Sequence, residues 1–219
     1  MSRISENIDK IKSSFNGKPV KLIVVTKTRP VEMLQEVYKT GNKIFGENRV
    51  QEMVPKFEAL TKDIEWHQIG HLQSNKVKYI APFVSLIHSV DSYGLLEEIN
   101  KQALKHNRTI SCLLQLFIAK EETKYGLDEG EALEILNSPE LEKLKNVKIT
   151  GLMGMATNTD NETIIRQEFR SLRAFFEKIK AIKSENVVVE ELSMGMSSDY
   201  KIAVEEGSTM VRVGSAVFQ

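Results

Sequence analysis

Cysteine is nearly absent from this chain: of 219 residues, only Cys112 carries a thiol. No intrachain disulfide can form, and a chain of this size without one fits a reducing compartment. Cys112 lies in the apolar run Ser111–Phe117, where a small buried hydrophobe is expected. Net charge is absent too, because 30 Lys and Arg are balanced by 30 Asp and Glu. General nucleic-acid binding needs a surplus of cations to displace counterions, so that class is excluded, though a local anion pocket is not. The first ten residues contain acids and no apolar signal core. No apolar stretch approaches the roughly 20 residues of a membrane span. The expectation is a soluble cytoplasmic protein with no membrane and no nucleic-acid partner. Apolar residues make up 41% of the chain, enough for one sizeable core. A disordered tail, a collagen-like fibre and a disulfide-stapled miniprotein are excluded.

No sequence repeat is visible, but a strand-like run followed by a helical run recurs along the chain. Strand candidates begin near Val20, Lys43, Glu65, Ser85, Ile110, Val147, Val187 and Met210. Each interval leaves room for the dozen or more residues of a parallel crossover. Helical spacing is clear in Val31, Leu34, Val37 and Tyr38 behind Pro30, and in Leu95, Leu96, Ile99 and Ala103 behind the cap candidate Ser92. Asp128 and Glu131 have the spacing of a capping box. The longest helix should carry Ile165, Phe169, Leu172, Phe176 and Ile179 on one face. Pro55 should kink or split the second helical segment.

Eight parallel strands with alternating helices predict one domain over residues 1–219, an α/β fold closed as a (β/α)₈ TIM barrel. Only a few residues follow the eighth strand, so a full eighth helix is not expected. The N-terminal run Ile4, Ile8, Ile11 and Phe15 is expected to cover that wall instead. An open doubly wound sheet is the alternative, and unpaired first and eighth strands would be its mark.

In a barrel, active groups come from the C-terminal strand ends and the loops after them. Lys27 closes the apolar run Leu22–Thr26. Desolvation there would favour the neutral amine that attacks an aldehyde, and a solvated strand-end lysine is the plain alternative. Ser197 and Ser198 precede a short helix near Asp199–Glu206 that stops at Gly207, where they attract an anion or simply cap the helix. In Val211–Ser215, Gly214 permits close backbone approach and Ser215 offers donors. This and the preceding loop are where barrels commonly bind phosphate. Arg212 is costly to bury without an acceptor, so it should face the mouth and hold a ligand group or a carboxylate. Gly46–Asn48 and Asn75–Lys76 are mouth candidates, and Met155 is a candidate cavity wall. His67 and His71 stand four apart but cross from strand to loop, so no metal site is expected. No Ser-His-Asp or Cys-His arrangement can be assigned, and no catalytic residue is predicted.

Together these segments are familiar. Val25–Pro30, Phe45–Glu52, Trp66–Lys76, Gly151–Met153, Ser193–Asp199 and Val211–Phe218 occur in this order. The chain resembles the YggS/PROSC family of pyridoxal 5′-phosphate (PLP) homeostasis proteins over nearly its whole length. The resemblance implies a fold-type III PLP-binding barrel, like the N-terminal domain of alanine racemase but without the C-terminal β domain. It implies PLP as cofactor, held as an internal aldimine on Lys27. Ser197, Gly214 and Ser215 match the phosphate cradle, with Ser198 adjacent, and Arg212 matches the arginine facing the pyridine nitrogen. Asn48, Met155 and His67 complete the set of cofactor-binding candidates. Ser215 stands where threonine is common, and the family usually continues past Phe218 with Gly and a basic tail.

The family is associated with PLP supply and amino-acid balance, without established turnover. An arginine can donate to the ring nitrogen but cannot readily give up a proton, which leaves the ring a weaker electron sink than a carboxylate does. A racemase also needs acid–base groups on both faces of its substrate, and no opposing base is expected to be correctly placed here. A PLP-holding protein is therefore expected, as a monomer or weak dimer, with PLP-dependent apo-enzymes or free amino acids as further partners. A PLP-dependent racemase or lyase, and a barrel forming its Schiff base with a sugar phosphate, are the rivals.

Overall fold

A computed structural model describes residues 2–119, 126–182 and 184–219. The elements in chain order are α1 (Arg3–Ser13), β1 (Lys21–Val25), α2 (Val31–Lys39), β2 (Ile44–Glu47), α3 (Val50–Ala59), β3 (Glu65–Gln68), α4 (Val77–Ile80), β4 (Leu86–Val90) and α5 (Tyr93–Lys105). They continue as β5 (Ile110–Leu116), α6 (Glu129–Asn137), β6 (Val147–Gly154), α7 (Glu162–Ile179), β7 (Val187–Ser193), α8 (Tyr200–Glu205), β8 (Met210–Val213) and α9 (Ser215–Phe218). All eight strands are parallel and pair in sequence order. The barrel closes where Lys21, Leu22, Ile23 and Val24 of β1 lie opposite Met210, Val211, Arg212 and Val213 of β8. Closure removes the open-sheet alternative. Among the described residues, no helix is long and apolar enough to cross a membrane.

Local signals account for most element ends. Ser92 Oγ accepts the Leu95 amide at 3.3 Å, and Asp128 and Glu131 exchange both bonds of a capping box at 2.8 Å. Expected helix faces are the buried ones: Ile165, Phe169, Leu172, Phe176 and Ile179 of α7 all face the strands. Pro55 departs from expectation, since α3 runs through it unbroken. Pro55 and Gln51 are both exposed, so water can satisfy the Gln51 carbonyl that a fifty-fifth amide would have met. Gly151 sits in β6 with φ +153°, and a Cβ there would stand 1.8 Å from the Glu191 carbonyl oxygen. Only glycine lets β6 and β7 come together at that irregular step in their register.

The N-terminal helix does the work expected of it. Ile4, Ile8 and Ile11 of α1 are buried, and Asn7 Nδ2 donates to the Val217 and Gln219 carbonyls at 3.1 Å each. The single turn of α9 is thus backed by α1. Two cores result. A large one lies between the strands and the helices. A small one inside the barrel has, among the described residues, Ile23, Leu86, Leu113, Met153 and Met210 as its buried apolar members. The rest of the interior is shared with polar side chains, and these lead to the site.

Candidate functional site

A cavity of about 570 Å³ opens at the C-terminal ends of the strands. Lys27, Asn48, Met155, Ser197, Ser198, Arg212, Gly214 and Ser215 all line it. Eight of the nine residues singled out from sequence therefore share one space. The ninth does not: His67 is absent from the walls of this cavity and borders another, of about 310 Å³, at the N-terminal end of the barrel. Its place on β3 explains the correction. The strand ends at Gln68, and His67 turns into the interior, where its Nδ1 lies 3.0 Å from Nε2 of His88 on β4.

Lys27 is not the last residue of its strand. β1 ends at Val25, Thr26 is buried, and Lys27 stands exposed on the rim between Thr26 and Thr28. The expected desolvation by strand burial is thus not present here. What the structure supplies is a fixed backbone. Lys56 Nζ donates to the Thr26 carbonyl at 2.7 Å and to Glu47 Oε1 at 2.5 Å. Thr26 Oγ1 donates to the same carboxylate at 2.6 Å, and the Thr28 amide donates to Glu52 Oε2 at 2.7 Å. Both neighbours of Lys27 are therefore tied to α3 and β2, and Thr28 is held at φ +60°. Glu47 is fully buried behind the mouth rather than on it. Burial raises its carboxyl above the ordinary carboxylate value, with Lys56 and Thr26 acting the other way.

Across the mouth, the β7–α8 and β8–α9 loops meet. The Gly214 amide donates to Ser197 Oγ at 3.2 Å, so one serine bridges both loops. The absent Gly214 side chain keeps the loop close to β1: a Cβ would meet Val25 Cβ at 3.2 Å and its carbonyl at 3.3 Å. Helix α8 begins at Tyr200 and has only six residues, so the cradle consists of loop hydroxyls and amides more than of a helix dipole. Gly207, with φ +95°, follows it as expected.

Arg212 forms the inner wall. It is 4% exposed, and it donates from Nη1 to Ser193 Oγ at 2.6 Å and from Nη2 to the Gly154 carbonyl at 3.1 Å. Its direct acceptors within the protein are thus a hydroxyl and a carbonyl rather than a carboxylate. Burial pulls the guanidinium down to about 10, opposed by the negative charge of Asp199, so it stays protonated at neutral pH. Ser193 Oγ also lies 3.0 Å from His88 Nδ1. Burial holds His88 well below its ordinary value, helped by His67 and the Arg212 charge, and His67 is lowered to about 3 by burial and then by Lys21. Both imidazoles are neutral.

Ser193, His88 and the Glu47–Lys56 pair were not recognised from sequence as a support for the site. The one available signal was polarity out of place, as in Leu86-Ile87-His88-Ser89-Val90. Asn75 and Lys76 do not line the main cavity, and Lys76 lines a neighbouring one with Asn48 and His71. His71 Nδ1 lies 3.3 Å from Asp91 Oδ2.

Comparison with known proteins gives a consistent result. Residues 1–219 match the family described as alanine racemase, N-terminal domain. The pyridoxal phosphate homeostasis protein of Aquifex aeolicus is 43% identical over 221 aligned positions, covering 100% of this chain and 95% of that one. The fission yeast protein of the same name, from Schizosaccharomyces pombe, is 33% identical over 100% of this chain and 93% of its own. PipY of Synechococcus elongatus, solved with PLP bound, is 36% identical, with a TM-score of 0.89 over 99% of this chain and 100% of that one. An alanine racemase of Clostridium difficile shares the fold at a TM-score of 0.81 and 15% identity, covering 99% of this chain and 59% of its own. The chain belongs to the alanine racemase N-terminal-domain family, among its pyridoxal phosphate homeostasis proteins.

Proposed function

We propose that this chain binds pyridoxal 5′-phosphate in the mouth cavity, takes part in maintaining the intracellular supply of that cofactor, and has no racemase turnover. The observation that carries the reading is one cavity lined by a rim lysine, a serine–glycine cradle and a buried arginine. Its volume lies within the roughly 300–1,000 Å³ usual for small-molecule sites. The residues fit the cofactor. The Ser197, Ser198 and Ser215 hydroxyls offer neutral donors to a phosphate, and Gly214 lets their two loops come together. Bound there, the cofactor supplies an aldehyde that condenses with a primary amine and a ring that can accept electrons.

Lys27 presents that amine from a clamped backbone with its side chain free in the mouth. Arg212 offers donors, and no acceptor, to a ring nitrogen. It holds its proton at neutral pH, so it orients the ring without protonating it, which favours holding over turnover. Asn48 and Met155 close the remaining walls. The open rim leaves the amine accessible to exchange with other amines, which suits delivery to apo-enzymes or sensing of amino acids.

The test is an absorbance spectrum with PLP, before and after borohydride, with mass mapping of the reduced product. A violet-absorbing band and a label on Lys27 are expected. Lys27→Ala should lose the band while keeping weaker binding through the cradle. A colourless mixture, or a label on another lysine, overturns the assignment. Amino-acid racemisation at ordinary turnover, abolished by Lys27→Ala, would overturn the non-enzymatic part. Transfer of PLP to an apo-enzyme no faster than free exchange would remove the delivery role.

A further inference from the structure

The barrel interior holds more polarity than its walls need. His67, His88, Ser193 and Arg212 come from four strands, β3, β4, β7 and β8, and each is at most 4% exposed. They form one unbroken line: His67 Nδ1 to His88 Nε2 at 3.0 Å, His88 Nδ1 to Ser193 Oγ at 3.0 Å, and Ser193 Oγ to Arg212 Nη1 at 2.6 Å. The line starts beside the cavity at the N-terminal end and finishes on the wall of the mouth cavity.

The direction of every bond follows from its last member. A guanidinium can only donate, so Ser193 Oγ accepts from Arg212. The serine's own hydrogen then needs an acceptor, because a buried hydroxyl left unpaired costs its desolvation. His88 Nδ1 is that acceptor. A neutral imidazole with Nδ1 accepting carries its hydrogen on Nε2, so His88 donates to His67 Nδ1. His67 in turn carries its hydrogen on Nε2. The reverse arrangement would leave the Ser193 hydrogen without an acceptor. Both lowered histidine values agree with neutral rings.

We propose that His88 and His67 are positioning residues, which through Ser193 form a one-way hydrogen-bond chain that locks the Arg212 guanidinium in the wall of the mouth cavity. An apolar side chain at position 88 would fill β4 with no polar group to desolvate. The imidazole is useful there because it accepts the Ser193 hydrogen and so fixes the oxygen that holds Nη1. The Gly154 carbonyl holds Nη2, at 3.1 Å. With two of its five N–H donors anchored inside the barrel, the guanidinium cannot turn, and its remaining edge is aimed for the ligand. For PLP, this inference rests on the function proposed above and adds the residues that orient the ring-nitrogen partner.

The test begins without PLP. Nitrogen-15 spectra of the unliganded protein should show His67 and His88 as Nε2–H tautomers. The Arg212 Nη nitrogens should give separate signals because rotation is blocked. His88→Leu should merge those signals, and His88→Asn, which returns an acceptor near the Nδ1 position, should separate them again. With PLP added, His88→Leu should weaken binding on the order of tenfold and shift the absorbance band, with His88→Asn close to the parent. An Nδ1–H tautomer at either histidine, or Arg212 signals unchanged in His88→Leu, overturns the chain. If His88→Leu does not fold, Ser193→Ala replaces it with the same expected loss of separate Nη signals and the same overturning result. A parent protein that gives no PLP band ends the proposed function alone, since the tautomers and Nη signals still decide the positioning claim.

Discussion

Replacing Lys56 by Met should lower the barrel's stability and steepen its dependence on pH. The Met side chain keeps most of the apolar stem and removes only the ammonium. That ammonium lies 2.5 Å from Glu47 Oε1 and 2.7 Å from the Thr26 carbonyl, with Lys56 8% and Glu47 0% exposed. Breaking a buried pair by removing one partner costs about 3–5 kcal/mol. The lower end, about 3 kcal/mol, is expected here, because Glu47 already sits above its ordinary value of 4.5 and can escape by taking up a proton. For a chain of this length, that lowers Tm by about 6–12 °C. The sign of the pH effect follows. In the variant the folded carboxyl rises further. A raised carboxyl leaves stability intact below the unfolded value and removes it as pH climbs through the folded one. The deficit should therefore be small at or below about pH 4.5 and grow as pH rises above it. Urea unfolding of parent and variant at several pH values reads it directly. A deficit below about 1 kcal/mol at the alkaline end, or one that ignores pH, would refute the reasoning. Because the same ammonium holds Thr26, the variant should also label more slowly at Lys27 in the borohydride assay.

Three further outcomes are expected. Gly151→Ala should cost more than about 3 kcal/mol or prevent folding, since its Cβ would sit 1.8 Å from the Glu191 carbonyl oxygen at φ +153°; a soluble variant with parental Tm would contradict that. Cys112 should resist a thiol reagent in the native state and react fully once unfolded, because burial pushes its thiol well above the ordinary value. Rapid native labelling would show that the strand opens there. Asn7→Ala removes two hydrogen bonds between α1 and the α9 segment and should cost about 1–2 kcal/mol in urea unfolding, with no change in the violet band.

Much of this molecule was legible in one dimension. Strand–helix alternation located all eight strands to within a residue or two, because strands such as β1 and β8, buried on both faces, read as apolar runs at the spacing a crossover requires. Ser92, Asp128 and Gly207 marked helix ends because capping is a local matter of hydrogen bonds and φ angles. Lys27, Ser197, Ser198, Gly214 and Ser215 could be grouped in advance, since barrel topology brings loops after successive strands to one end. Strand–helix alternation does not say which side chains of a short strand such as Glu65–Gln68 turn inward. His67 therefore read as part of the mouth, although its ring faces the interior toward His88. Pro55 read as a break, although an exposed carbonyl made it tolerable. The links from His88 to Ser193 and from Lys56 to Thr26 join residues 105 and 30 positions apart. No local pattern specifies such pairs. Chain periodicity determined where the strands and helices lie and which loops share a rim; barrel closure alone decided which polar groups meet inside, because that depends on stagger between distant strands and on the cost of leaving any buried donor unmatched.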